Sequence, residues 1–314
     1  MASVKFKNVY LGNYATISSK NEKISTTFTI SDYLNGEKTF ENSEVNLQKK
    51  VITHILGENK LDMLIGGDLS NQLGITNETM SMFPLPYLGV YNACTSFIEE
   101  MIIAGGMLSL STVKNIGILT SSHNLSAERT FRYPIEYGYP RKITQTFTAT
   151  GAVCGVVTKS ITNVKMDSAT VGKVIDYDMK DVNNMGAIMA PAAADTLITH
   201  LHDLKRDISY YDVVVTGDLG KLGSNLFTEL LKAKDITIKH YLDAGSILIT
   251  DNTLTDQGAS GPICLPIVLY EKILKDKKYK KILIIGTGAL HNTVMVNQHK
   301  SIPAISHAVS LEVI

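Results

Sequence analysis

The chain has 314 residues, is 44% hydrophobic, and balances 30 lysines and arginines against 30 aspartates and glutamates. That length buries a large core, in one domain or two fused units, and the neutral balance argues against nucleic acid or an anionic membrane surface as a partner. Three scattered cysteines, Cys94, Cys154 and Cys264, give neither a disulfide framework nor a CxxC metal site, which points to a reducing interior.

The N-terminal stretch "MASVKFKNVYLGNY" lacks the apolar segment and small-residue cleavage site of a signal peptide. No run approaches the ~20 apolar residues of a spanning helix, so a soluble or at most peripheral protein is expected. The first predicted helix contains "VITHIL" (Val51 to Leu56) and leads into a buried strand within "LDMLIGGDLSNQLG" (Leu61 to Gly74). Next, "ACTSFIEEMIIAGGMLSLSTVKNIGILTSS" from Ala93 reads as a small-residue turn, a long helix and a second buried strand. That helix is apolar nearly all round (Phe97, Ile98, Met101, Ile102, Ile103, Leu108), which predicts a place between layers. "TQTFTATGAVCGVVTK" and "ATVGKVIDYD" add β-rich segments in mid-chain.

The pattern then repeats. "LITHLH" (Leu197 to His202) leads into "YDVVVTGDLGKLG" (Tyr211 to Gly223), so that Asp212 follows Asp62, and Asp218 follows Asp68, at one spacing of 150 residues (212 − 62 and 218 − 68). "ASGPICLPIVLYEKILKDKKYKKILIIGTG" from Ala259 repeats the turn, helix and strand, and its basic run Lys275 to Lys281 reads as a solvated helix end. Four elements in one order indicate an internal duplication. The runs "MLIGG", "IGILT", "VVVTG" and "ILIIG" lack polar alternation, as in parallel strands covered on both faces. The halves are expected as 1–165, carrying Cys94, and 166–314, carrying Thr255 and His291, packed as one unit without a Pro- or Ser-rich linker.

These residues resemble the thiolase and ketoacyl-synthase superfamily. Its fold is a duplicated βαβαβαββ unit in five layers, with a reactive cysteine at the start of the first half's buried helix. "YNACTSF" stands in that place, and "TATGAVCGVV" is similar to the small-residue segment that follows the nucleophile. Over essentially the whole chain, "GGDLSNQ", "YNACTS", "AERTFRYPIEYGYPRKITQTFTATGA", "TGDLGKLG" and "SGPICLPIVLYEKILKDKKYKKILIIGTGALHN" resemble the stage V sporulation protein AD family. The resemblance implies an α/β, thiolase-like five-layer fold and a spore protein that binds dipicolinic acid (pyridine-2,6-dicarboxylate) during its uptake into the forespore. It also implies a homodimer and a peripheral place at the spore inner membrane with other stage V sporulation A membrane proteins. No cofactor is implied.

The family comparison also bears on chemistry. A cysteine at a helix N-terminus feels unpaired N–H groups and the positive end of the dipole, both favouring thiolate; the alternative is a small residue that fits a tight turn. Condensing enzymes add a histidine and a second polar group. Thr255 stands where thiolases place that histidine, Ile284 where they place a second cysteine, and "TGDLGKLG" lacks the histidine of the synthases. The condensing apparatus is therefore expected to be missing. His291 in "GTGALHNT" and His123 in "SSHNLS" remain as candidate pocket histidines, while His200 and His202 share no helical face and make a poor metal site.

A planar dianion asks for forked donors, which Arg129, Arg132 and Arg141 supply unless their segment is a covering or dimerisation loop. Asp68 and Asp218 would repel a free dianion but suit a calcium chelate, or they cap the following helices. Asp68 is preferred because it precedes Cys94 in the same half. "GTGALHNT" is not a dinucleotide fingerprint, and no P-loop is present. An acyl-transferring enzyme using Cys94, or a scaffold without a ligand, are the alternatives to a dipicolinate binder.

Overall fold

The computed structural model describes residues 2–110, 112–132 and 141–314. The first half contains β1 (Ser3–Lys5), β2 (Tyr10–Ser19), β3 (Phe28–Ile30), α1 (Phe40–Glu58), β4 (Met63–Gly67), α2 (Gly74–Met80) and β5 (Tyr87–Gly89). It continues with α3 (Ser96–Leu110), β6 (Asn115–Ser122), α4 (Asn124–Phe131), β7 (Phe147–Thr148) and β8 (Gly151–Thr158). The second half contains β9 (Val164–Val171), α5 (Met185–Leu204), β10 (Val213–Thr216), α6 (Gly220–Lys232), β11 (Tyr241–Asp243) and α7 (Ala244–Leu248). It ends with β12 (Ala259–Ser260), α8 (Cys264–Val268, extended by a π turn over Leu269–Ile273), β13 (Lys281–Ala289), α9 (Thr293–Asn297) and β14 (Ala304–Val313). The boundary between residues 165 and 166 falls inside β9.

The duplication is written in the strand order. One sheet runs β5-β4-β6-β8-β2 and the other β11-β10-β13-β14-β9, so corresponding strands occupy corresponding places. In each, the first three strands pair in parallel and the last two pairings are antiparallel. The sheets touch edge to edge through a two-residue pairing, Tyr10 with Lys165 and Leu11 with Val164. A matching staple closes the other end of each half. Asp62 accepts from the N–H groups of Lys114 and Asn115 at 2.7 and 3.0 Å, and Asp212 accepts from those of Lys280 and Lys281 at 2.7 and 2.8 Å.

Alternation along the strands builds the layers, because successive side chains point to opposite faces. Met63 and Ile65 of β4, Val213 and Val215 of β10, and Ile282 and Ile284 of β13 join a central core with Phe97, Ile98 and Met101 of α3 and Cys264 to Val268 of α8. Leu64 and Leu119 face outward onto α1 (Leu47, Val51, Ile52, Ile55). Val214, Leu283 and Ile285 face α5 and α6 on the opposite side. The layers are therefore helix, sheet, helix, sheet, helix, as the apolar runs predict. α3 is buried because both its neighbours are sheets, and each fully buried large side chain there contributes about 1.5–3 kcal/mol. The stretch 93–110 is also long and apolar enough to cross a membrane, but 56% of it is buried within this fold. "ATVGKVIDYD" only begins as strand: β9 ends at Val171, and Ile175 adds one isolated bridge to Ala304.

Candidate functional site

Cys94 lies in a 3-10 turn, Ala93–Thr95, that feeds α3. Ala93 is held at φ 50°, a left-handed conformation that an alanine adopts only at a cost of about 1–2 kcal/mol. The turn is pinned from several sides. The Asn92 N–H donates to Ser96 Oγ at 3.0 Å, and Ser96 Oγ donates to the Ala93 carbonyl at 2.8 Å. The Asn92 amide meets His307 Nε2 of β14 at 2.8 Å, while His307 Nδ1 accepts from the Gly172 N–H at 3.0 Å. Burial holds His307 at about 4, so it is a neutral brace. Neither His307 nor Asn92 stands out in the sequence as a supporting residue.

The thiol is half-buried and shares its cleft with the carboxylate of Asp218. Burial pushes it well above an ordinary thiol, and the Asp218 charge pushes the same way against weaker help from the Gly261 N–H and Arg132. The helix-terminus argument for a thiolate is overturned here, because desolvation and one adjacent anion outweigh the few N–H groups of the turn. Asp218 is itself raised to about 6 by burial, although Thr287 Oγ1 donates to it at 2.6 Å and the Gly261 N–H at 2.8 Å.

Around this pair lies a narrow cleft of about 60 Å³ between the halves, walled by Tyr91, Phe131, Met185 and Met189, with Arg132 and His291 also facing it. It opens into a vestibule of about 450 Å³ past Tyr91, Phe131 and His291. Arg132 is bound through Nη1 to Glu128, and both side chains are largely buried. His291 packs on the Phe131 ring at 5.3 Å, and burial with the Arg132 charge holds it at about 4.

Of the sequence candidates, Cys94, Arg132 and His291 meet at this cleft. Asp68 does not. Its carboxylate accepts from the N–H and Oγ of Ser70 and from the N–H (2.8 Å) and Oγ1 (2.6 Å) of Thr76, which makes it the cap of the first half's following turn and helix. Asp218 escapes that duty because Asp243 accepts the Leu219 and Gly220 N–H groups of the turn that follows it, at 2.9 and 3.1 Å. The preference for Asp68 is thus reversed. His123 is a buried cap, accepting from the Leu125 N–H at 3.3 Å, with Nε2 2.8 Å from the Tyr33 carbonyl and its ring stacked on Phe40. Arg129 lies at the surface, 3.8 Å from Glu41.

Arg141 holds the carbonyls of Thr253 and Asn252, and the rest of its expected covering loop, 133–140, lies outside the described residues. Thr255 ties a turn by donating to the Gln145 carbonyl, and Ile284 sits in the central core, so neither reaches the cleft. His200 is buried against Thr170 and Tyr211 while His202 is exposed.

Cerulenin-bound OleA from Xanthomonas campestris superposes with a TM-score of 0.63 at 16% identity, covering 99% of this chain and 100% of that one. The 3-oxoacyl-[acyl-carrier-protein] synthase III of Aquifex aeolicus VF5 gives 0.59 at 12% identity, over 97% and 99% of the two chains. At such identities the likeness is one of fold. Sequence goes further: the family model for stage V sporulation protein AD matches residues 6–312. The protein of that name from Bacillus subtilis (strain 168) is 36% identical over 287 residues, 88% of this chain and 85% of that one. A thiolase-like fold, matched in sequence along nearly its whole length, places this chain in the stage V sporulation protein AD family.

Proposed function

We propose that the cleft beside Cys94 is a seat for dipicolinate, free or as its calcium chelate, and that the protein takes part in dipicolinate uptake into the forespore without condensing chemistry. The observation that carries this reading is the partner of the thiol. Condensation needs a thiolate and free donors for an oxyanion. Cys94 faces a carboxylate that raises its pKa, and a group near 6 is far too weak a base to deprotonate it. The Gly261 N–H, which could serve an oxyanion, is already committed to Asp218. The cleft has room for on the order of four to six waters, which suits a small flat molecule better than an acyl chain.

A soluble binder cannot carry a dianion across lipid, so the proposal includes docking at the spore inner membrane on other stage V sporulation A proteins. It also includes a homodimer, for which the exposed Met82 and Leu88 at the β5 edge offer an apolar surface. The test is titration calorimetry with dipicolinate, with and without calcium, on wild type, Cys94→Ala and Cys94→Arg. Saturable binding that weakens in the alanine variant and vanishes in the arginine variant is expected. Equal binding by all three would remove the ligand from this cleft. No binding by wild type, followed by acyl-CoA labelling of Cys94, would make the protein an acyl-transferring enzyme instead.

A further inference from the structure

Two residues that line the cleft each carry a buried polar atom with no partner among the described residues. Arg132 uses Nη1 for Glu128, and its Nε is buried without an acceptor although the side chain is only 6% exposed. His291, 8% exposed, leaves Nδ1 buried without a partner. The two line the same cleft, and a neutral imidazole can carry its proton on Nδ1. Buried orphan donors are costly, and two on one cleft mark a missing acceptor. The Cys94 end carries the opposite character. Asp218 is 1% exposed and already accepts from the Gly261 N–H and from Thr287 Oγ1. Glu128 offsets much of the Arg132 charge, and among the described residues the cleft holds no second lysine or arginine to balance a second bare carboxylate.

Resting on the reading of the cleft as a ligand seat, we infer that it binds a flat organic acid with a fixed polarity. One carboxylate lies between Arg132 Nε–H and His291 Nδ1–H, and the far end faces Asp218, where a second carboxyl group is admitted only with a proton on it or a cation bridging the two. Phe131, Met185 and Met189 supply apolar contact for the ring between these ends. The ligand's net charge, as much as its shape, then decides whether it enters.

Pyridine-2-carboxylate, which has one carboxylate, and pyridine-2,6-dicarboxylate separate the two ends. Calorimetry at pH 7.5 would compare wild type with Arg132→Lys, His291→Phe and Asp218→Asn, each first shown to be folded by its melting curve. The monocarboxylate should bind wild type and lose about tenfold or more in Arg132→Lys and in His291→Phe, the effect of one charged hydrogen bond. Calcium should strengthen dicarboxylate binding to wild type. Asp218→Asn should tighten calcium-free dicarboxylate binding by about tenfold and abolish that calcium advantage.

Monocarboxylate binding that is absent from wild type, or unchanged in both seat variants, overturns the carboxylate seat. Dicarboxylate binding indifferent to Asp218→Asn overturns the acidic end. Wild type that binds the monocarboxylate but not the dicarboxylate, with or without calcium, keeps the seat and rejects dipicolinate as the ligand. Dicarboxylate binding that survives every variant does the reverse.

Discussion

Replacing Glu44 by glutamine should make the protein's stability less dependent on pH. Glu44 projects from α1 into a buried polar cluster, where Ser121 Oγ donates to it at 2.6 Å and Ser126 Oγ of α4 at 3.3 Å. Burial, and then the charge of Asp68, push its carboxyl from an ordinary 4.5 up to about 8. Below pH 4.5 the group is protonated in both folded and unfolded chains, and its contribution is fully present. As pH rises towards 8 the unfolded chain loses this proton while the folded one keeps it, so stability falls by about 1.4 kcal/mol per pH unit.

Between pH 6 and 8 the wild type should therefore lose roughly 2.5 kcal/mol relative to Glu44→Gln, which has no such proton. Other titrating groups are common to both proteins and cancel in the difference. Urea unfolding at pH 6, 7 and 8 measures it directly. A difference that stays constant across these three pH values would refute the assignment of a protonated Glu44.

The thiol should be inert to iodoacetamide at pH 8, and Asp218→Asn should speed its alkylation, read by mass spectrometry, by about tenfold as one raising charge is removed; unchanged rates would show that Asp218 does not control it. Ala93→Gly should lie within about 1 kcal/mol of wild type, on the stabilising side, because glycine adopts the left-handed turn freely. Gly261→Ala should lose about 2 kcal/mol or more, both variants being read by urea unfolding, since Gly261 has φ 114° and a Cβ there would lie 2.9 Å from Ser122 Oγ. Equal effects of the two substitutions would contradict this account of the turns.

The layers were legible because strands covered on both faces have no polar positions to blur them, as "MLIGG" and "ILIIG" illustrate. α3 was legible for the same reason. The cleft was less so. Two copies of Gly-Asp-Leu look alike locally, and what separates them is the supply of capping donors farther along. Ser70 and Thr76 follow Asp68 at positions where Gly220 and Leu226 follow Asp218, so only the first aspartate finds hydroxyl donors in the turn and helix that follow it. That difference is visible in the sequence once its meaning is known. His307 was invisible, because its contact with Asn92 spans 215 residues. His123 and Arg129 share a segment with Arg132, but His123 is taken up by capping α4, and Arg129 lies against Glu41 while Arg132 has already left the helical conformation.

In each half the opening strand of the sheet pairs with the closing one: Tyr10 with Thr158 in the first, Val171 with His307 in the second. Neither sheet can close until its last strand has left the ribosome, which makes both halves slow, non-local folders. Synthesis from the N-terminus lets the first sheet close while the second is still being made. Cys94 then waits on a finished half for Asp218 and His291, so that the cleft is among the last features of the newborn protein to appear.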